Sequence, residues 1–167
     1  SKINPNFVLA HCNTEDEVIK VAHDADGIIN QYAPITRRVI ESLKRCKVIA
    51  RYGVGVDNID IETATEYKII VANVPDYCID EVSTHALALI LTCARGITLL
   101  DRKRREKRWD FTLAKPLFRT QSKVLGLFGL GRIARMVAQK SSGFGFKIIA
   151  YDPYVSRINV KVELVEF

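Results

Sequence analysis

Between Lys123 and Asp152 the chain reads KVLGLFGLGRIARMVAQKSSGFGFKIIAYD, and its glycines and closing acid are spaced for chemistry. An apolar run, Val124 to Phe128, ends in Gly129-Leu130-Gly131-Arg132-Ile133-Ala134. A helical stretch follows, then a second apolar run, Lys147 to Tyr151, closed by Asp152. Gly129 permits a tight turn out of a strand. Gly131 lacks a side chain, so a pyrophosphate can approach the backbone, and Ala134 is small enough for close helix–strand packing. The first helical turn, with Arg132 and Ile133, offers amide N–H groups and the positive end of its dipole to phosphates. Asp152, about 20 residues past the second glycine, is placed to accept hydrogen bonds from ribose hydroxyls. That favours NAD, because a 2′-phosphate would meet a like charge. Gly129, Gly131, Arg132, Ile133 and Asp152 therefore form a candidate dinucleotide cradle. A glycine-rich turn in an unrelated α/β protein is the alternative.

A cradle of this kind needs a strand, a helix and a second strand to hold it, and the upstream sequence repeats that alternation. Phe7 to Ala10 reads as a strand, and Thr14 caps a helix from Glu15 to His23 with Glu17 placed for a capping box. Gly27 to Asn30 is the next strand. Thr36 caps a helix whose apolar face is Val39, Ile40 and Leu43, and Val48 to Ala50 is a third strand. It enters a glycine-bearing loop, Tyr52 to Asn58, followed by a helix from Ile61 to Tyr67 and a strand from Ile69 to Ala72. Strands alternating with helices at this spacing predict parallel sheets with βαβ crossovers, whose ligands bind beyond the carboxyl ends of strands. Pro75 breaks the alternation, and a hinge is expected at Asn73 to Asp76. A long helix follows, with Ile79, Val82, Ala86, Leu89, Ile90, Cys93 and Ile97 on one stripe. A polar linker from Trp109 to Ser122 then leads into the glycine motif.

Composition bounds the alternatives. A chain of 167 residues that is 48% hydrophobic can bury a core, as one domain or two small ones. The net charge of +6 owes much to Arg102 through Arg108, beside Trp109. That run could line a phosphate backbone, but at a helix C-terminus it reads as a solvated face, so no nucleic-acid partner is expected. The four cysteines, Cys12, Cys46, Cys78 and Cys93, form no CxxC pair, and reduced thiols, some buried, are expected. No apolar stretch is long enough for a membrane span and no signal-peptide pattern opens the sequence, so a cytoplasmic location without a membrane partner is the expectation.

Several segments together resemble the D-isomer-specific 2-hydroxyacid dehydrogenase family. They are ARYGVGVDNID at Ala50 to Asp60, NVP at Asn73 to Pro75, DEVSTHALALILTCAR at Asp80 to Arg95, Arg108-Trp109, GLFGLGRIAR, and YDP at Tyr151 to Pro153. The wording lies nearest the phosphoglycerate-dehydrogenase-like and C-terminal-binding-protein-like branch. The resemblance implies an α/β chain: a flavodoxin-like substrate domain over residues 1–75, and the first part of a Rossmann NAD-binding domain over 76–167. It implies that Val54 and Gly55 offer backbone N–H groups to the carboxylate of a small 2-hydroxy or 2-oxo acid. It also implies a homodimer formed through the helix from Ile79 and its basic end.

The same resemblance implies an arginine to polarise and hold the 2-oxo acid, a histidine to exchange a proton with it and a glutamate to raise that histidine's pKa, all in the second half of the cofactor domain, and no residue here matches them. No catalytic residue or metal ligand is therefore assigned. His85 is expected to be a helix residue satisfied by its neighbours, and His11 and His23 have no partner at useful spacing. The chain thus reads as the N-terminal half of an NAD-dependent dehydrogenase, inactive by itself. A non-catalytic NAD-sensing dimer of the corepressor kind is the alternative. Departures from the family pattern are Thr84, Thr120-Gln121-Ser122, and a tail in which Ile158 to Val165 reads as strand where a helix is usual.

Overall fold

Parallel strands pair where short apolar runs recur between helical stretches. The computed structural model describes residues 6–121 and 123–166. The chain divides into two units, Ser1–Asp76 and Tyr77–Phe167.

In the first unit, β1 (Gly27–Asn30), β2 (Val48–Arg51) and β3 (Ile70–Ala72) form a parallel sheet in that order. Ile28 lies opposite Ile49, and Ile49 opposite Val71. Three helices connect and flank them: α1 (Glu15–Ala22), α2 (Arg37–Ser42) and α3 (Ile61–Glu66). The capping box of α1 is complete: Glu17 N–H donates to Thr14 Oγ1 at 3.3 Å, and Thr14 N–H donates to Glu17 Oε2 at 3.0 Å. Thr36 stands at the start of α2 without capping it. Its hydroxyl donates instead to Glu15 Oε1 at 2.7 Å, tying α2 to α1. The core comprises Val18, Ala22, Ile35, Val39, Ile40, Ile49, Ile59, Ala64 and Ile69.

The run from Phe7 to Ala10 is not a strand. It pairs with no other strand, and Phe7, Val8 and Leu9 are 77%, 73% and 91% exposed. A β-prone run without a ladder partner has nothing to satisfy its backbone but water, so it stays irregular.

In the second unit, β4 (Val124–Phe128), β5 (Lys147–Tyr151) and β6 (Glu163–Leu164) pair in parallel in that order. This is the 3-2-1 half of a Rossmann sheet. The helix α6 (Arg132–Ser141) joins β4 to β5, and α4 (Ile79–Ala94) packs on it. The single long helix expected from Ile79 through Ile97 is two. Gly96 adopts φ +63° and ends α4, and α5 (Ile97–Arg105) leaves at a bend of 63°. A Cβ on Gly96 would lie 2.8 Å from Ala114 Cβ, so the bend also admits a close approach by the 3-10 turn Phe111–Ala114.

The expected apolar stripe of α4 is only partly its packed face. Val82, Leu89, Cys93 and Ile97 are exposed, and the fully buried residue is Ser83. Lys140 on α6 explains this choice. Its Nζ lies 2.7 Å from Asp80 Oδ1, 2.9 Å from the Asp80 carbonyl, 2.9 Å from Ser83 Oγ and 2.6 Å from Thr84 Oγ1. A hydroxyl-bearing face with small side chains lets the lysine reach across, and the larger apolar residues rotate outward.

The expected polar linker holds that 3-10 turn, capped by Asp110, and a cis Lys115–Pro116 bond. Ser122 lies outside the described residues. The tail forms strand only at β6, because Val162 N–H turns back to the Val160 carbonyl at 2.9 Å and Asn159 Oδ1 is taken by Arg135 at 3.2 Å. All four cysteines are free, and none is fully buried. Among the described residues no single helix is long and apolar enough to cross a membrane.

Ile40, fully buried, and Phe7, largely exposed, make the core assignment testable. Ile40→Ala is expected to lower stability by about 2–5 kcal/mol in urea denaturation, and Phe7→Ala to change it by no more than about 0.5 kcal/mol.

Candidate functional site

The turn leaving β4 is fixed at several points. Phe128 lies opposite Tyr151 in the parallel ladder, and Gly129 N–H donates to the Tyr151 carbonyl at 2.8 Å. Gly129 then adopts φ +82°, a conformation open to glycine without a Cβ clash. Leu130 is fully buried. Its N–H donates to Asp152 Oδ2 at 2.7 Å, and its carbonyl accepts from Arg135 Nε at 2.8 Å. Gly131 is the extended N-cap of α6, and no side chain caps that helix. A Cβ on Gly129 or Gly131 would meet no protein atom within 4 Å, so the space over both glycines is open. Arg132 and Ile133 form the exposed first turn. These five positions therefore lie together, with uncapped helix amides, an open approach and an acid at the end of β5. That donor set fits a pyrophosphate and an adjoining ribose.

Asp152 has a second task that the sequence does not reveal. Besides Leu130, the Tyr154 amide donates to its Oδ1 at 2.9 Å. Hydrogen bonds to the ionised form, first from Leu130, then from Tyr154 and then from Val155, hold its carboxyl below the usual carboxylate range, and the positive charge of Arg135 adds to this. A carboxylate has about four lone-pair sites, so these bonds leave acceptor capacity for a ligand. Arg135 was not a candidate, since nothing in its spacing signals a grip on the Leu130 carbonyl.

In the first unit, the loop after β2 carries Val54 and Gly55, both exposed. Tyr52 N–H donates to the Asn30 carbonyl at 2.8 Å, and Val74 N–H to the Gly53 carbonyl at 3.1 Å. Asn73 Nδ2 donates to the Val54 carbonyl at 2.7 Å. Among the described residues no acceptor takes the N–H of Val54 or Gly55. Two adjacent unpartnered amides suit an anion. Asn73, expected in a hinge and in the NVP segment of the resemblance, grips the loop, which nothing in its spacing signals.

The histidines differ from expectation. His85 is exposed on α4, where solvent rather than neighbouring side chains can satisfy it. His23 does have a partner, Asp24, with Nε2 and Oδ2 2.8 Å apart. Adjacent side chains at a helix end can meet without any periodic spacing. No group of three or more His, Cys, Asp or Glu residues able to hold a metal occurs among the described residues. In the basic run, Lys103 pairs with Glu106 and Arg105 with Asp101, each at 2.8 Å on the surface of α5.

Residues 4–150 match the family model described as D-isomer specific 2-hydroxyacid dehydrogenase, catalytic domain. The chain belongs to this family. It is 40% identical over 157 residues to a D-3-phosphoglycerate dehydrogenase of Methanocaldococcus jannaschii, covering 92% of this chain and 30% of that protein. It is 37% identical over 153 residues to a hydroxypyruvate reductase of Thermotoga maritima, covering 91% of this chain and 50% of the relative. Among solved structures it is similar to an NAD-dependent formate dehydrogenase from Staphylococcus aureus in complex with NAD. That likeness has a TM-score of 0.80 and 29% identity, over 91% of this chain and 47% of the other. The chain thus spans between about a third and a half of the length of these 2-hydroxyacid dehydrogenase relatives.

The depressed Asp152 carboxyl has a pH consequence. A folded-state value below the unfolded one stabilises the turn above the unfolded value, and this contribution is lost as pH falls through the folded one. The Leu130 amide shift, followed by NMR against pH, is expected to titrate with a midpoint below that of an ordinary solvated aspartate. A midpoint at or above the ordinary aspartate value would contradict the Leu130–Asp152 bond.

Proposed function

We propose that this chain supplies the cofactor cradle and the substrate-carboxylate loop of an NAD-dependent oxidoreductase acting on the CH–OH group of D-2-hydroxy acids. Phosphoglycerate dehydrogenase and glyoxylate or hydroxypyruvate reductase are the activity types the reading favours. The observation that carries it is the glycine turn, with open space over Gly129 and Gly131, an uncapped α6, and Asp152 fastened beside it. NAD bound there supplies the hydride acceptor. Gly129, Gly131, Arg132 and Ile133 hold the pyrophosphate against the positive end of α6, and the free acceptor capacity of Asp152 takes the ribose hydroxyls. Val54 and Gly55 hold the substrate carboxylate through their amides.

Residues 1–75 act as substrate domain and 76–167 as cofactor domain. The substrate-polarising arginine, the proton-exchanging histidine and its glutamate partner implied by the resemblance match no residue here, so the 167 residues alone are expected not to turn over. We place the protein in the cytoplasm as a homodimer joined through α4, where the exposure of Val82 and Leu89 supports an apolar contact.

Calorimetric titration tests the cradle. The chain is expected to bind NAD weakly, since half a Rossmann sheet lacks the remaining contacts. Gly131→Val should weaken that binding about tenfold or more by filling the approach to the backbone. Asp152→Asn should narrow the preference for NAD over NADP, because the charge that repels a 2′-phosphate is gone. Unchanged affinity in Gly131→Val would overturn the assignment. NADH oxidation with hydroxypyruvate or glyoxylate should stay at the level of the enzyme-free blank, and turnover at ordinary enzyme rates would contradict the expected inactivity.

A further inference from the structure

The guanidinium of Arg51 doubles back along its own chain. A Cβ added to Gly53, whose φ is +153°, would lie 2.7 Å from Arg51 Nη1, 3.0 Å from its Cζ and 3.1 Å from Nη2. The cation therefore rests against the Gly53 backbone, in space that any other residue at that position would fill. Its Nη1 donates to the Tyr52 carbonyl. Its Nε is buried without a hydrogen-bond partner, and no carboxylate pairs with it among the described residues. Arg37, Arg38 and Arg45 each reach a carboxylate. A guanidinium kept partly unsatisfied beside a functional loop calls for a reason, because buried unpartnered donors are costly.

The loop's hydrogen bonds give that reason. Four successive carbonyls are occupied by protein donors: Arg51 by Gly53 N–H, Tyr52 by Arg51 Nη1, Gly53 by Val74 N–H, and Val54 by Asn73 Nδ2. The next amides in line, those of Val54 and Gly55, have no protein acceptor. These four carbonyls are thus occupied while two amides are left without a protein acceptor, a polarity that suits a carboxylate, and the Asp57 carboxylate stands beside them, its Oδ2 3.2 Å from the place of a Gly55 Cβ. Three of the four carbonyls are covered by backbone or by Asn73, and the Tyr52 carbonyl is covered by Arg51.

We propose that Arg51 is a positioning residue for the carboxylate loop. It masks the Tyr52 carbonyl, packs against Gly53, and so keeps Val54 and Gly55 in the conformation that offers two amides to an anion. This rests on the reading of that loop as the carboxylate site. Gly53 is glycine because its φ of +153° strains any other residue, and the guanidinium rests in the space a Cβ would take.

The test is NMR titration of the ¹⁵N-labelled 167-residue protein with glyoxylate. In the wild type the Val54 and Gly55 amides should shift and saturate; if they do not respond, the carboxylate reading itself fails, and this proposal with it. In Arg51→Met the same amides should already be displaced before any probe is added, while the Val39 and Ile40 amides of the core keep their positions. Glyoxylate affinity should fall about tenfold or more, the scale expected for losing a charged hydrogen bond. Arg51→Lys, which keeps a cation able to reach the Tyr52 carbonyl, should recover part of it. Wild-type affinity in Arg51→Met would overturn the proposal. So would equal losses in both variants accompanied by shifts throughout the core, which would mark general destabilisation.

Discussion

The carboxylate of Asp152 ties together the turn after β4 and the chain leaving β5, two strands already paired in one ladder. It sits just past the end of β5, accepts from Leu130 in the turn after β4, and accepts again from Tyr154 downstream. Leu130 is buried beneath that turn, and its carbonyl is gripped by Arg135 from α6. One acid and one arginine therefore fasten strand, turn and helix to each other. The acid stays ionised because its hydrogen bonds reward the charged form. The charge that secures the turn is thus also available to sort cofactors by their ribose substituents.

The two candidate sites use one physical recipe. Each lies just past the carboxyl end of a parallel strand, β2 in the first unit and β4 in the second. In each, carbonyls are occupied by protein donors, and glycine admits close approach to amides that lack a side-chain cap or a protein acceptor. Backbone dipoles held in place suit this task, since they need little reorganisation when a ligand arrives.

Local features were legible because they depend on neighbours in sequence. The Thr14–Glu17 capping box, the bounds of β1, β4 and β5, and the tight turn at Gly129 all follow from caps, apolar runs and glycine positions. Features set by distant partners were not. Phe7 to Ala10 has strand-like composition but no ladder to join. The stripe on α4 has helical periodicity, yet Lys140, 56 to 60 residues away, selects a different face. Gly96 carried the signal for the α4–α5 break, and an unbroken apolar period across it hid that signal. The second role of Asp152 and the return of Arg51 onto Gly53 arise from side-chain directions that spacing does not encode.

The central claim is that Gly129 to Ala134, with Asp152, forms the NAD-binding cradle. Amide shift mapping of the ¹⁵N-labelled protein with NAD tests it most directly. The account predicts perturbations concentrated at Leu130 to Ala134 and around Asp152, with the basic run Arg102 to Arg108 unmoved. Shifts centred on that run, with the glycine turn silent, would contradict it.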